Sequence, residues 1–159
     1  MKQFLTYIFL LIATFVCHSQ ASLNKKEKEI ITQEIKIMLN NYHNDIVKDG
    51  IEDELMYLDT SSDFFWVPPG YNSPLNYESI KDILLSNSKA INYIEFSWET
   101  IKIFPLTKKI ASYSGIAKCV EVGDNLTSMT FRIIESGTLI KRGDDWKFLN
   151  GQSRLLDKN

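Results

Sequence analysis

The sequence has few of the residues that form covalent or metal crosslinks. Its 159 residues include two cysteines, Cys17 and Cys119, and two histidines, His18 and His43. A structural zinc site needs four cysteine or histidine ligands, and a catalytic site usually needs two or three histidines. We therefore predict no metal site, and nothing in the sequence indicates any other cofactor.

Long apolar runs are also scarce, and the longest lies near the start of the sequence. It extends from Phe4 to Val16, follows a lysine and precedes small residues. This pattern is typical of a secretory signal peptide, and the run is too short for a membrane span, which needs about 20 apolar residues. We predict a signal peptide at residues 1–19, cleaved after Ser19 or Ala21. The mature protein is then exported to the periplasm or the outside of the cell, without a membrane span.

Cys17 allows a second interpretation of this segment, in which the protein is a lipoprotein acylated at that cysteine. The preceding residues, Thr14-Phe15-Val16, match poorly because small residues usually precede an acylated cysteine. The signal-peptide interpretation is therefore preferred. After cleavage Cys119 is the only cysteine, so the mature chain cannot form an internal disulfide.

The sequence has no excess of positive charge. It contains 18 Lys and Arg against 20 Asp and Glu, and loss of Lys2 with the signal peptide leaves a formal charge of −3. A nucleic-acid-binding domain usually presents a basic face, so a nucleic-acid partner is not expected. Residues 20–159 have the length of a single domain.

The first part of the mature sequence has helical patterns. Asn24 and Glu27 match a capping box, and apolar residues recur at spacings of three and four up to Asp49-Gly50. We predict a helix from Asn24 to Lys48 that buries Ile31, Ile35, Met38, Leu39, Tyr42 and Ile46. A short helix from Ile51 to Leu58 and a third helix capped by Asn76 follow.

The rest of the sequence has strand patterns. An aromatic-rich strand is predicted from Asp63 to Val67, before the third helix. From Ala90 onward the sequence alternates between strands and turns, with predicted strands at 91–104, 109–122 and 126–142. A slip in the alternation predicts a bulge near Thr100, and a second bulge is suggested at residues 135–137.

The last two strands are predicted to form a hairpin around Gly143-Asp144. If Arg142 pairs with Asp145, strict alternation places Leu139 opposite Phe148, Gly137 opposite Asn150 and Glu135 opposite Gln152. Glu135, Asn150 and Gln152 would then form the polar end of an inner face. A bulge at Ser136-Gly137 would instead turn Glu135 outward.

The order of elements and the last strand resemble the nuclear-transport-factor-2-like (NTF2-like) superfamily, in particular its SnoaL-like branch of small secreted bacterial domains. The matching residues in the last hairpin are Gly143, Trp146, Lys147, Phe148 and Leu149. Asn150 and Gln152 replace the two histidines that the family often has. The resemblance implies an α+β cone, in which three N-terminal helices pack on a strongly curved, mostly antiparallel sheet. It also implies a homodimer.

Catalytic members of this superfamily place an Asp, or an Asp with a His, inside the cone. Here the candidate acids and bases are Glu135, His43 and Asp63. A solvated Glu135 and a half-buried, locally bonded His43 are the alternatives that the general behaviour of these residue types favours. The predicted ligand-binding residues are Tyr42, His43, Trp66, Trp98, Glu135, Asn150 and Gln152, although the aromatic residues among them suit a core equally well.

Two classes of function are compatible with these residues. The preferred one is a non-catalytic, exported domain that binds a small apolar or amphipathic ligand, or a partner protein, in the cone. The alternative is a lyase or isomerase that uses Glu135, His43 or Asp63 as its base. Asn150 and Gln152 can orient a ligand, but they cannot exchange a proton near neutral pH.

Overall fold

A computed structural model describes residues 22–123 and 125–156, so the predicted signal peptide at 1–19 lies outside the described residues. The first helix, α1, spans Lys25–Asp49 and buries the predicted apolar stripe together with His43. Asn24 Oδ1 accepts a hydrogen bond from the Glu27 backbone N–H, and Glu27 Oε2 accepts one from the Asn24 N–H, both at 2.9 Å. The predicted capping box and helix are therefore confirmed.

Two shorter helices complete the helical layer. The segment Ile51–Tyr57 is a 3₁₀ helix, entered through Gly50 at a φ of 108° that favours glycine. Helix α2 spans Tyr77–Asn87 and is capped by Asn76, whose Oδ1 accepts a hydrogen bond from Ser79 N–H at 3.0 Å. Ile80 and Leu84 are its buried residues. Among the helices of the described ranges, none has the length and apolar composition that crossing a bilayer requires.

The sheet has five strands in the order β1-β5-β4-β3-β2. The short strand β1 pairs in parallel with β5, and every other neighbouring pair is antiparallel. The predicted α+β class with a mostly antiparallel sheet is confirmed, although β1 begins two residues later than predicted. The strands are β1 Phe65–Val67, β2 Ile91–Pro105, β3 Ile110–Gly123, β4 Ser128–Arg142 and β5 Asp145–Leu155.

The register of the last hairpin differs from the prediction beyond Phe148. Leu139 does pair with Phe148, but Thr138 then pairs with Asn150, so Leu149 is the extra residue of a bulge on β5. The predicted pairs Gly137–Asn150 and Glu135–Gln152 are therefore wrong. An extra residue in one strand moves every later side chain of that strand to the opposite face.

The bulge predicted at residues 135–137 of β4 is thus on the neighbouring strand. The bulge predicted near Thr100 is confirmed, because the pairing of β2 with β3 shifts between Trp98 and Thr100. Bulges bend the strands that contain them, so both positions introduce curvature into the sheet.

Two paired glycines on the inner face of the sheet are flanked by aromatic rings. Gly137 pairs with Gly151 across β4 and β5, and the next neighbours are Tyr113 on one side and Trp66 on the other. A Cβ atom at Gly151 would lie 2.5 Å from the Trp66 ring. The rings therefore occupy the space that side chains at these glycines would fill, which is a known way of stabilising glycine in a sheet.

The core lies between α1 and the inner face of the sheet. Glu34 of α1 also holds the final hairpin, because its Oε2 accepts hydrogen bonds from Lys141 Nζ at 2.7 Å and from Trp146 Nε1 at 2.9 Å. Charge-assisted hydrogen bonds of this kind are stronger than neutral ones. The first helix and the last two strands thus form the frame in which the remaining elements enclose a cavity.

Candidate functional site

A partly enclosed cavity of about 500 Å³ lies between the helices and the inner face of the sheet. Helix α2 and strand β2 provide aliphatic walls, with Leu84 and Ile94 among them. Trp66, Phe96 and Phe131 add aromatic surface. The wall is therefore mostly apolar, as is usual for sites that bind small molecules.

The polar groups of the cavity are concentrated around two glutamates. Glu135 comes from the inner face of β4 and Glu54 from the 3₁₀ helix, and both are half-buried. Tyr113 donates a hydrogen bond from its hydroxyl to Glu135 Oε1 at 2.6 Å. Nearby, Trp66 Nε1 donates to Ser153 Oγ at 3.1 Å, which fixes the indole at the cavity wall.

The surroundings of the two glutamates favour their protonated forms. Burial raises the pKa of Glu135 to about 7, against a smaller lowering by the Tyr113 hydrogen bond. Burial, together with the negative charge of Glu135, raises the pKa of Glu54 to about 8, against a lowering by the hydrogen bond from Tyr42. Two carboxyl groups that share a site in this way titrate as a pair. The pair is therefore partly protonated near neutral pH.

The two tyrosines beside the pair remain protonated. Burial, followed by the negative charges of Glu54 and Glu135, holds the pKa of Tyr42 well above its usual range. Burial and Glu135 do the same for Tyr113. Both hydroxyls can therefore donate hydrogen bonds at any physiological pH.

The structure places His43 in the core and outside the set of residues that line the cavity. Its ring stacks on Phe96 and Trp98, with centroid distances of 5.8 Å and 5.3 Å. Burial lowers the pKa of His43 to about 4, so the imidazole is neutral near pH 7. Trp98 likewise packs in the core, and its buried Nε1 has no hydrogen-bond partner among the described residues.

Asp63 and the two predicted amides also lie outside the cavity lining. Asp63 is exposed, and its charge acts on Arg142 at the hairpin turn. Asn150 and Gln152 pair with Thr138 and Ser136, on the face opposite the buried Leu139. The β5 bulge accounts for this difference, since it turns Gly151 and Ser153 inward in their place. Of the predicted ligand-binding residues, Tyr42, Trp66 and Glu135 line the cavity.

Glu54 is the main residue that the sequence pattern does not reveal. It lies in the acidic run Glu52-Asp53-Glu54, which an α-helical spacing leaves at the surface while Ile51 and Leu55 point inward. In the observed 3₁₀ helix, residues three apart share a face. Ile51 and Glu54 therefore both line the cavity. The short length of the segment is the feature of the sequence that is typical of a 3₁₀ helix.

Within residues 22–123 and 125–156, no group of three or more His, Cys, Asp or Glu side chains is arranged to hold a metal ion. Cys119 is buried in β3, and burial raises its pKa to about 12, so it is not a reactive thiol. The ionisable side chains among the described lining residues of the cavity are those of Tyr42, Glu54, Tyr71, Glu121 and Glu135.

Searches by sequence found no matching protein-family model and no matching curated protein. Solved structures do match. A proposed scytalone dehydratase from Novosphingobium aromaticivorans superposes with a TM-score of 0.74 at 12% identity, covering 84% of this chain and 89% of that one. A hexachlorocyclohexane dehydrochlorinase, LinA type 3, from Novosphingobium barchaimii gives 0.67 at 10% identity, covering 86% and 93%.

A third match is an NTF2-like superfamily protein from Salmonella enterica serovar Typhimurium, with a TM-score of 0.69 and 15% identity over 82% of this chain and 94% of that one. At these identities the likeness concerns the fold. The chain has the NTF2-like fold, as its resemblance to that superfamily implies, with three helices packed on a five-stranded sheet.

Proposed function

We propose that this NTF2-like fold binds a small amphipathic molecule in the cavity between its helices and the inner face of the sheet. The observation that supports this is the combination of apolar walls with converging polar groups at Glu54 and Glu135. The cavity volume of about 500 Å³ falls within the range of small-molecule sites, roughly 300–1,000 Å³. The apolar body of the ligand would lie against α2 and β2, with a polar group at the carboxyl pair.

Adjacent residues of β4 provide a test of this proposal. Ile133 lines the cavity, whereas Ile134 points to the opposite face and is 37% exposed. We expect Ile133→Trp to fill part of the cavity and to weaken binding of phenethyl alcohol, a neutral amphipathic probe, by at least about tenfold. Isothermal titration calorimetry measures this, with Ile134→Trp as the matched control that leaves binding unchanged. Equal effects of the two substitutions, or no binding by the parent protein, would contradict a cavity ligand.

A second candidate function is favoured by the near-neutral pKa values of the same pair. A protonated carboxyl and a carboxylate in one cavity can donate and accept protons, as an isomerisation or an elimination requires. Dehydratase and dehydrochlorinase chemistry, named for two structural neighbours, belongs to this class. Here Glu135 and Glu54 would be the acid and base, in place of His43 or Asp63.

This second candidate predicts proton abstraction next to a carbonyl group. In D₂O the protein should accelerate deuterium uptake at the α-carbons of a bound small ketone such as indanone, measured by NMR. Glu54→Gln or Glu135→Gln should reduce that rate by about 100-fold or more. A protein that binds the ketone but leaves its exchange at the buffer rate would be a binding protein without this activity.

We also propose that the protein is exported, on the basis of the signal-peptide pattern at residues 1–19. Mass spectrometry of the protein recovered from cells should find an N-terminus at Gln20 or Ser22. A retained Met1, or a lipid on Cys17, would contradict this proposal.

A homodimer is proposed on the basis of large apolar side chains at the outer sheet face. Phe104 is 58% exposed and Ile134 37% exposed, and Tyr93 lies on the same face. Burying such surface favours association. Light scattering at tens of micromolar should give twice the mass of one chain, and a monomer at that concentration would count against the proposal.

A further inference from the structure

We propose that the molecule in the cavity is a cation, an amphipathic amine whose ammonium group lies at Glu54 and Glu135 while its apolar part lies against the aromatic walls. This inference rests on the proposed function, since it specifies the chemical class of ligand that the same cavity accepts. It depends on the cavity as a whole, with its volume, walls and charges.

All the charged side chains that line the cavity are acidic. They are Glu54, Glu121 and Glu135, and among the described lining residues there is no Lys, Arg or His. An anionic ligand such as a fatty acid would therefore be repelled by these carboxyls wherever they are ionised, in a partly desolvated space. A ligand with a positive charge would meet only attractive partners.

Three basic side chains of the sheet have acidic partners outside the cavity. Lys141 pairs with Glu34 at 2.7 Å, Arg142 with Asp59 at 2.9 Å and Arg132 with Glu99 at 2.6 Å. None of them lines the cavity, and no basic side chain of the described residues acts to lower the pKa of Glu54 or Glu135. The carboxyl pair thus lacks a counter-charge from the protein, and an ammonium group of the ligand would supply one.

The aromatic rings of the cavity add a second attraction for a cation. Tyr42, Trp66, Tyr71, Phe96 and Phe131 all contribute to its wall. The faces of such rings attract ammonium groups, most strongly when the contact is desolvated. The same rings bind the apolar body of an amphipathic ligand. Carboxylates combined with several aromatic rings therefore suit an organic ammonium better than an inorganic cation.

Binding of a cation should release protons. An ammonium group favours ionised Glu54 and Glu135, whereas both are largely protonated below about pH 7. The other titratable groups that act on the pair are Tyr42 from α1 and Tyr113 from β3, with Cys119 and Glu121 of β3 nearby. Burial keeps the two tyrosines and the cysteine neutral through this range. An alkylamine stays charged up to a pKa near that of lysine, roughly 10.4, so affinity should rise from pH 6 to pH 8.

Three probes with one phenethyl body separate the effect of charge from that of the apolar contact. They are phenethylamine, which is a cation, phenethyl alcohol, which is neutral, and hydrocinnamate, which is an anion. By calorimetry at pH 8 we expect the amine to bind at least about tenfold more tightly than the alcohol, and the anion most weakly of the three. At pH 6 the advantage of the amine over the alcohol should fall several-fold, while the affinity for the alcohol should change little.

Substitutions within one helix provide the control. Glu54→Gln removes a carboxyl of the cavity and Glu135→Gln removes its partner, so each should lower the amine-to-alcohol affinity ratio, and the double substitution should bring it close to one. Glu52→Gln removes the same charge from the 3₁₀ helix but not from the cavity lining, and should preserve the ratio. Circular dichroism shows whether each variant is folded, and binding of the alcohol shows whether its cavity is intact. The comparison of affinity ratios is then independent of stability.

The outcomes distinguish this inference from the proposed function. Equal affinity for amine and alcohol, or tighter binding of the anion, would overturn the cationic ligand while cavity binding stands. An amine preference that survives both cavity substitutions would also overturn it. Failure of all three probes to bind would contradict the proposed function and this inference together.

Discussion

Replacing Gly137 with alanine is expected to lower the free energy of unfolding by about 3 kcal/mol or more. A Cβ atom there would lie 2.3 Å from the backbone oxygen of Asn150, 3.1 Å from Gly151 Cα and 3.2 Å from the Tyr113 ring. Two of these contacts are with backbone, which cannot rotate away as a side chain can. The substitution therefore has to displace β5 from β4 or distort the strand at the bend.

Gly123→Ala is the matched control for this prediction. A Cβ atom at Gly123 would have its nearest contacts at 3.7 Å, an ordinary van der Waals distance. We expect a change within about 1 kcal/mol, and a small stabilisation is reasonable because alanine restricts the unfolded chain. Chemical denaturation followed by circular dichroism measures both variants. Equal stability of the two would show that the close approach at Gly137 is not a constraint of the native fold.

The second large effect is expected where the final hairpin meets the loop after the 3₁₀ helix. Arg142 donates from Nε to Asp59 Oδ1 and from Nη2 to Asp59 Oδ2, each at 2.9 Å. Ser61 also donates to Asp59, whose side chain is only 6% exposed. Arg142→Met should therefore cost about 3 kcal/mol at pH 7, because it leaves a buried carboxylate without its counter-charge.

The same contact predicts how this cost depends on pH. The Arg142 hydrogen bonds hold the pKa of Asp59 below its usual value. A lowered pKa in the folded state stabilises the protein above the unfolded pKa of about 3.9, and that contribution is lost as the pH falls through the folded value. The difference between Arg142→Met and the parent protein should therefore shrink below about pH 4.

Arg132→Met provides the control for this pair. Arg132 lies 2.6 Å from Glu99, but the two side chains are 47% and 36% exposed, so their ion pair should contribute less than about 1 kcal/mol. Urea denaturation at pH 7 and pH 3 measures both substitutions. An equal, pH-independent cost for Arg142→Met and Arg132→Met would contradict a special role for the buried Asp59.

The sequence was sufficient to predict the helices because their signals are local. Asn24 with Glu27, and Asn76 before α2, define helix starts through hydrogen bonds within a few residues. The pairing of the last two strands next to their turn could be predicted in the same way, because the Gly143-Asp144 turn places Arg142 opposite Asp145. Such features depend on short stretches of chain and on few contacts with the rest of the protein.

The site was harder to predict because it depends on single-residue changes of register. No residue type near Leu149 marks the bulge in the sequence. The bulge nevertheless places Gly151 and Ser153 on the inner face, where strict alternation would place Asn150 and Gln152. The rings that cover Gly151 and Gly137 belong to Trp66 and Tyr113, which are distant in sequence from these glycines. Alternation alone cannot detect a contact of this kind.

The positions of Glu135 and Glu54 also depend on tertiary structure, which the sequence pattern describes only in part. The predicted strand pairing turned Glu135 toward the hollow, and a solvated Glu135 was the favoured alternative. Glu135 lines the cavity, and its neighbour on β5 is Ser153 instead of Gln152. Glu54 was missed because a 3₁₀ helix and an α-helix place different residues on the inner side. His43 was placed correctly on the helix, but the rings that surround it come from β2. The pair of carboxyls is thus a product of tertiary packing.

The most direct test of this account is a titration of the two glutamates by carboxyl ¹³C NMR on the free protein. Glu135 should titrate at about pH 7 and Glu54 at about pH 8, and Glu135→Gln should lower the pKa of Glu54 because it removes a neighbouring negative charge. Titration of both Glu54 and Glu135 near 4.3, the usual value for glutamate, would contradict the carboxyl pair on which the proposed functions depend.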